Sequence, residues 1–318
     1  MPTQWLRRGW LLAACASALL LAACGGGSIV SQFTPTRVVA FGDAMGDLGQ
    51  NGNRYTVNDG SNNNWTYWVA NAYGRTLAPT ASGGTSYATG NARVTATPDA
   101  AGNAATPTVQ QQIDSFLAAG GPAEGDLIIV SAGTSDVIAE VQAVLTGAET
   151  QDQMLANLAQ AGKDLGAQVR RLVGAGAAHV VVAGPYNLGR SAWALQTSQK
   201  GLMESASLKF NDQFLISVVD LGASVLYVDA ALYYNLVTGN PAGYSMTDIS
   251  TPVCTSVDAG PGIGTGTGQL NSNLCTTATL VTPGMNYEPY LFADRVYFTP
   301  HGQRLFGDYA YSKIHDRW

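Results

Sequence analysis

Short apolar runs alternate with helical spacing along this chain. The runs fall at residues 37–41, 126–131, 178–183 and 224–228. Each is too short for a helix and apolar at consecutive positions, so each reads as a strand buried on both faces. The stretches between predict helices over 65–73 (Trp65, Trp68, Val69 and Ala72 inward), 108–119 (Val109, Ile113, Phe116), 151–172 (Leu155, Leu158, Ala159, Val169), 200–219 and 302–314 (Leu305, Phe306, Tyr309). Another helix start follows the second run, with Ser135 or Asp136 as its cap. Residues 47–64 and 81–105 are polar or small, lack a period and read as loops. Buried strands separated by helices pair in parallel through crossovers. The expected fold is α/β, a three-layer α/β/α sandwich with a mostly parallel sheet, built as one domain from residues 37–318.

Residues 1–23 read as an export signal: Arg7 and Arg8, then an apolar run to Ala23 that is short for a membrane span. Leu21-Ala22-Ala23-Cys24 resembles a bacterial lipobox. That resemblance implies cleavage before Cys24 and a lipid anchor on its sulfur. Gly25 in place of aspartate implies sorting to the outer membrane, facing either the periplasm or the surface. Residues 24–36, with Gly25-Gly26-Gly27-Ser28, form a flexible tether. A monomer is expected.

Acidic residues number 22 against 16 basic, for a formal charge of −6, and loss of Arg7 and Arg8 makes the balance more acidic. No basic cluster remains to hold a phosphate backbone, so nucleic acid is not an expected partner. Cys254 and Cys275 flank a loop rich in Gly, Ser and Asn, and in an exported protein they read as a disulfide. No third thiol or histidine lies in that loop to complete a metal site.

The first apolar run leads into Phe41-Gly42-Asp43-Ala44-Met45-Gly46-Asp47. Four further blocks follow: Tyr87-Ala88-Thr89-Gly90-Asn91-Ala92, Gly133-Thr134-Ser135-Asp136, Pro185-Tyr186-Asn187-Leu188-Gly189-Arg190, and Phe292-Ala293-Asp294-Arg295-Val296-Tyr297 with Gly302-Gln303-Arg304-Leu305. Five blocks in this order resemble the GDSL (SGNH) hydrolase family, in particular exported esterases and the passenger domains of esterase autotransporters. The resemblance implies the SGNH, flavodoxin-like hydrolase fold and no cofactor. In that family a block-one serine attacks an ester, a last-block histidine takes its proton, and the aspartate three residues before orients the imidazole. A block-two glycine amide and a block-three asparagine stabilise the oxyanion. Carried onto this chain, Ala44 stands at the nucleophile position, Tyr297 at the histidine and Ser135 at the asparagine. Gly90 and Asp294 are kept. Asp43, Asp47, Asp136 and Asp294 are oxygen donors of a kind that suits calcium or magnesium. The family keeps these aspartates without a metal, so none is expected. Asp43 and Asp47 more simply accept backbone amides around the turn and cap the next helix.

Three readings of function follow. The first is a hydrolase-fold lipoprotein that binds an ester, acyl group or glycan without efficient turnover. Its cleft would be lined by residues 58–65, Asn91, Tyr186 and Tyr297. The second is a working carboxylesterase or lipase with a rearranged site that uses Ser135 or His301. The third is a non-catalytic envelope interaction protein. An open cleft with His301 turned inward separates the second from the third, for which the cleft would be closed by side chains.

Overall fold

The structure is a computed structural model that describes residues 33–62 and 64–318. The export signal, Cys24 and the glycine tether lie outside the described residues. The sheet has four strands, β1 (Arg37–Gly42), β2 (Asp126–Ser131), β3 (His179–Ala183) and β4 (Val225–Tyr227), in the order β1-β2-β3-β4. All three pairings are parallel, with Val39 opposite Ile128 and Ile128 opposite Val180. Every residue of β2 is buried, which a sheet achieves only when both faces are covered. The fold is the expected α/β arrangement of a parallel sheet flanked by helices.

The helices are α1 (Trp65–Ala72), α2 (Val109–Ala118), α3 (Thr134–Leu145), α4 (Gln151–Gly174), α5 (Ala192–Thr197), α6 (Lys200–Ser217), α7 (Ala230–Gly239) and α8 (Pro300–Arg317). One group packs α3, α4 and α6 together, and another packs α1 and α7 on α8. Glycines permit the closest approach: a Cβ on Gly162 of α4 would lie 2.3 Å from the Phe210 carbonyl oxygen of α6. Thr108 and Thr150 close capping boxes at α2 and α4.

Several local readings change. In α1, Ala70 is buried while Ala72 is exposed and Trp68 half-buried. Helix α3 starts at Thr134 with Gly133 at its cap, at φ 109°, so Ser135 and Asp136 sit in its first turn instead of capping it. Helix α1 is capped by Asn64, whose Oδ1 accepts from the Thr66 amide at 2.9 Å, and not by Asp43 or Asp47. Residues 85–89, read as loop, run beside β1. The Tyr87 amide donates to the Ala40 carbonyl at 2.7 Å and the Thr89 amide to that of Gly42 at 3.1 Å. This pairing delivers Gly90 to the carboxyl edge of the sheet. At the amino edge, Phe33 stacks on His179 at 3.7 Å, and Trp318 meets His179 edge-on at 4.9 Å.

Candidate functional site

The site is built on the turn that follows β1. Gly42, at φ 142°, has no room for a side chain, since a Cβ there would lie 1.9 Å from the Ser131 carbonyl oxygen. Its amide and carbonyl are both held by the Gln112 carboxamide of α2, at 2.9 Å each. The Asp43 amide donates to Ser131 at 2.9 Å. These bonds lock the strand end and aim the next residue, Ala44, into the interior, where it is 1% exposed.

Asp43 ties this turn to the start of α3. Its Oδ1 accepts from the Met45 amide at 3.0 Å and its Oδ2 from the Ser135 amide at 3.2 Å. Burial pushes its carboxyl up to about 7, against the stabilising pull of those amides. Asp47 is buried and raised to about 6 for the same first reason. Its Oδ1 takes the Gly49 and Gln50 amides, each at 2.8 Å, and its Oδ2 takes the Gly90 amide at 2.8 Å. The Gly90 N–H is therefore committed to a carboxylate. Asn91 follows at φ 62°, a left-handed backbone that asparagine tolerates better than most side chains. Asp136 accepts from the Val94 amide at 3.0 Å and faces Arg93, which also pairs with Glu140. Desolvation still raises it to about 6.

The loop before α8 brings in the last two residues. Asp294 is fully buried, and burial raises its pKa. Its Oδ1 accepts from the Val296 and Tyr297 amides at 2.8 and 2.7 Å, and its Oδ2 from the Ser272 amide at 2.9 Å. Tyr297 is fully buried too. Desolvation, then the charges of Asp43 and Asp294, raise its phenol well above its ordinary value. The Ser135 hydroxyl lies near enough to pull weakly the other way, yet neither Ser135 Oγ nor Tyr297 OH completes a well-formed hydrogen bond.

The structure thus brings Ala44, Gly90, Ser135, Asp294 and Tyr297 to one place at the carboxyl edge, where ligands bind in open α/β sheets. His301 goes elsewhere. Its Nδ1 lies 2.6 Å from the Glu288 carbonyl oxygen and 3.9 Å from the Glu288 carboxylate. Of the residues expected to line a cleft, Asn91, Tyr186 and Tyr297 are buried. Tyr186 is buried, with its hydroxyl on the Val296 carbonyl at 2.7 Å, and Trp65 has no exposure. Tyr55 fills the space instead: a Cβ on Gly90 would lie 2.1 Å from its ring. The loop between Cys254 and Cys275 lies against the same place. These cysteines are disulfide-bonded with Cα atoms 5.8 Å apart. From this loop Ser272 reaches Asp294, and the Gly262 carbonyl accepts from Asn91 Nδ2 at 3.1 Å. Among the described residues no group of three or more His, Cys, Asp or Glu side chains is arranged to hold a metal ion.

Sequence reasoning missed Tyr55 and Gln112. Gln112 had a signal, since it lies in the inward stripe of Val109, Ile113 and Phe116. A polar residue there must find a buried partner.

This fold and this clustered edge define a member of the GDSL-like lipase/acylhydrolase family, to which the chain belongs: the family model matches residues 38–310. Solved structures similar to it include a carbohydrate acetylesterase from Sinorhizobium meliloti, at 13% identity, 89% of this chain, 99% of that chain and a TM-score of 0.48. Another is a member of the lipolytic G-D-S-L family from Veillonella parvula, at 13% identity, 86% of this chain, 95% of that chain and a TM-score of 0.42. No curated protein matches the chain.

Proposed function

We propose that this chain is a non-hydrolytic member of its family, an acylated envelope protein that keeps the fold as a binding scaffold. One observation carries the reading: Ala44, at the nucleophile position, offers a buried methyl group, and Tyr297, at the histidine position, a buried phenol. A methyl group cannot attack a carbonyl, and a phenol raised by burial is no base at neutral pH. Two further features support it. The Gly90 amide, the kept oxyanion donor by family resemblance, is bonded to Asp47. Ser135 is fully buried and presents a hydroxyl where an asparagine amide would reach further. A rearranged esterase built on Ser135 and His301 finds no support in this geometry, because the imidazole is turned onto Glu288. A closed site favours binding through the outer surface of the protein over capture of an ester, acyl group or glycan at Ala44.

The test is turnover of short and long acyl esters by purified protein. Background rates are expected, unchanged by Ser135→Ala or His301→Ala. Robust turnover lost in either variant would replace this reading with the rearranged esterase. Envelope placement rests on the sequence around Cys24. It is tested by mass spectrometry of the mature N-terminus, where a diacylated or triacylated Cys24 is expected and an unmodified start elsewhere would refute it.

A further inference from the structure

Arg295 is a buried cation without a counter-ion. The residue is 7% exposed. Its Nε donates to Gln196 Oε1 at 2.8 Å, and its Nη1 to Gln269 Oε1 at 2.7 Å and to the Thr265 carbonyl at 3.4 Å. All three acceptors are neutral. Among the described residues no carboxylate forms an ion pair with it. Asp294 is the residue before it, but the Asp294 oxygens are taken by the Val296, Tyr297 and Ser272 amides, so it acts on Arg295 only at a distance. A buried lysine or carboxylic acid can escape by becoming neutral, whereas a guanidinium stays charged. Burying a charge is costly unless it is paired.

One end of the guanidinium is left over. Nη2 has no acceptor in the chain and is not sealed from solvent. The segment that the other two nitrogens grip is glycine-rich, Gly264-Thr265-Gly266-Thr267-Gly268-Gln269. Gly264, Gly266 and Gly268 take φ of 87°, 116° and 70°, a backbone that glycine adopts readily. Gln269 Nε2 turns back onto the Thr267 carbonyl at 3.4 Å. The amides of Thr267 and Gly268 donate to nothing in the chain. Successive free amides in a turn are anion-binding groups, a feature separate from the arginine.

We propose that Arg295 and the loop over residues 265–269 form a site for a phosphate group, with Nη2 and the loop amides as its donors. Phosphate supplies the missing counter-charge in a charge-assisted bond. Its several oxygens can take the guanidinium and the amides together, where a carboxylate offers only two. The phosphate can be the free ion or be esterified to a sugar. The site is independent of whether the residues around Ala44 hydrolyse esters.

The experiment is a titration of the full-length protein with inorganic phosphate, glucose 1-phosphate and acetate at constant ionic strength. It follows the backbone amide resonances of Gln196, Thr267 and Gly268 and the urea midpoint. A saturable shift is expected for phosphate, at least tenfold weaker for acetate, with a rise in the midpoint because only the folded chain offers the site. Arg295→Gln should abolish the shift. That change also removes bonds to the loop, so the deciding variant is Gln196→Glu. Residue 196 is exposed on α5, and a carboxylate there gives Nε an internal counter-ion while the guanidinium stays in place. Gln196→Glu should raise the midpoint without ligand and weaken phosphate at least tenfold. Tighter binding of glucose 1-phosphate than of inorganic phosphate assigns an esterified source, and the reverse assigns the free ion. No saturation with either phosphate, acetate binding as tightly as phosphate, or undiminished binding in both variants would overturn the proposal.

Discussion

The rings of Tyr55 and Tyr297 meet edge to face, with centroids 5.3 Å apart and planes at 64°. Tyr55 also covers the open side of Gly90. Two aromatic side chains, one from the segment after the first turn and one from the loop before α8, therefore pack together beside Gly90. On the proposed reading, the alanine at position 44 and the packing of these rings are separate features, and variants can test them separately.

Restoring the nucleophile alone is expected to achieve nothing measurable. Ala44→Ser would supply a hydroxyl, but the phenol at the histidine position cannot take its proton. Ala44→Ser/Tyr297→His should turn over a short acyl ester faster than either single variant, because nucleophile and base act as a unit. Adding Ser135→Asn should raise kcat further; a single oxyanion donor is worth about 10²–10³-fold in a working enzyme. Equal rates for the single and double variants would show that the position of Tyr297 is not that of the base.

Tyr297→Phe should leave stability within about 1 kcal/mol of the original, or raise it. The hydroxyl is buried without a well-formed partner, so removing it costs little. Tyr297→Ala should cost about 3–5 kcal/mol, as for other large aromatic truncations in a core. Urea unfolding of the two variants separates the ring's contribution from the hydroxyl's.

Gly90→Ala should destabilise by about 1–3 kcal/mol through overpacking against Tyr55. The cost should shrink when measured in a Tyr55→Ala background, since the two sites share one contact. Full additivity in a double-mutant cycle would contradict the contact.

Stability should fall as pH rises from about 4 to 7. The carboxyls of Asp43, Asp47 and Asp136 are raised by burial from the ordinary 3.8 to about 7, 6 and 6. In that window the folded state holds protons that the unfolded chain has released. The stabilising contribution is thus complete below the unfolded value and is lost as pH climbs through the folded one. Unfolding midpoints against pH should trace that decline, and Asp43→Asn should flatten its upper part. A profile rising across this window would refute the assignment.

Replacing Cys254 and Cys275 together with alanine should cost about 3 kcal/mol on the chain-entropy view of a loop this long. The loss should be felt at the site, because the loop supplies the Ser272 amide to Asp294. Hydrogen exchange at Ser272 and Tyr297 should quicken, measured beside the urea midpoint.

The strands were legible because four or more consecutive apolar residues leave few other readings. β2 begins and ends where the sequence places it, and β3 starts one residue late. Helices with a clean stripe, α2 and α4, were legible too. Helix α7 was not: Ala230–Gly239 is apolar around much of its circumference and leaves Leu232 and Leu236 about half exposed, so no period marks its inner face. The five positions that the structure clusters were picked out by their blocks: the first follows β1 and the third opens α3, while those of Gly90 and Asp294 lie in loops with no period of their own. Tyr55 was hidden because its neighbours are polar and no spacing distinguishes a half-buried ring from a solvated one. His301 looked promising for its nearness to Asp294 in sequence, but Pro300 opens the helix there and the ring meets the Glu288 carbonyl.

Phe33 and Trp318 meet at the start of β3, where the Phe33 amide donates to the Trp318 carbonyl at 3.2 Å. Phe33 and Trp318 thus lie together at the edge of the sheet opposite Ala44. A reporter attached at Trp318 would therefore sit at the amino edge and leave the surface around the carboxyl edge uncovered.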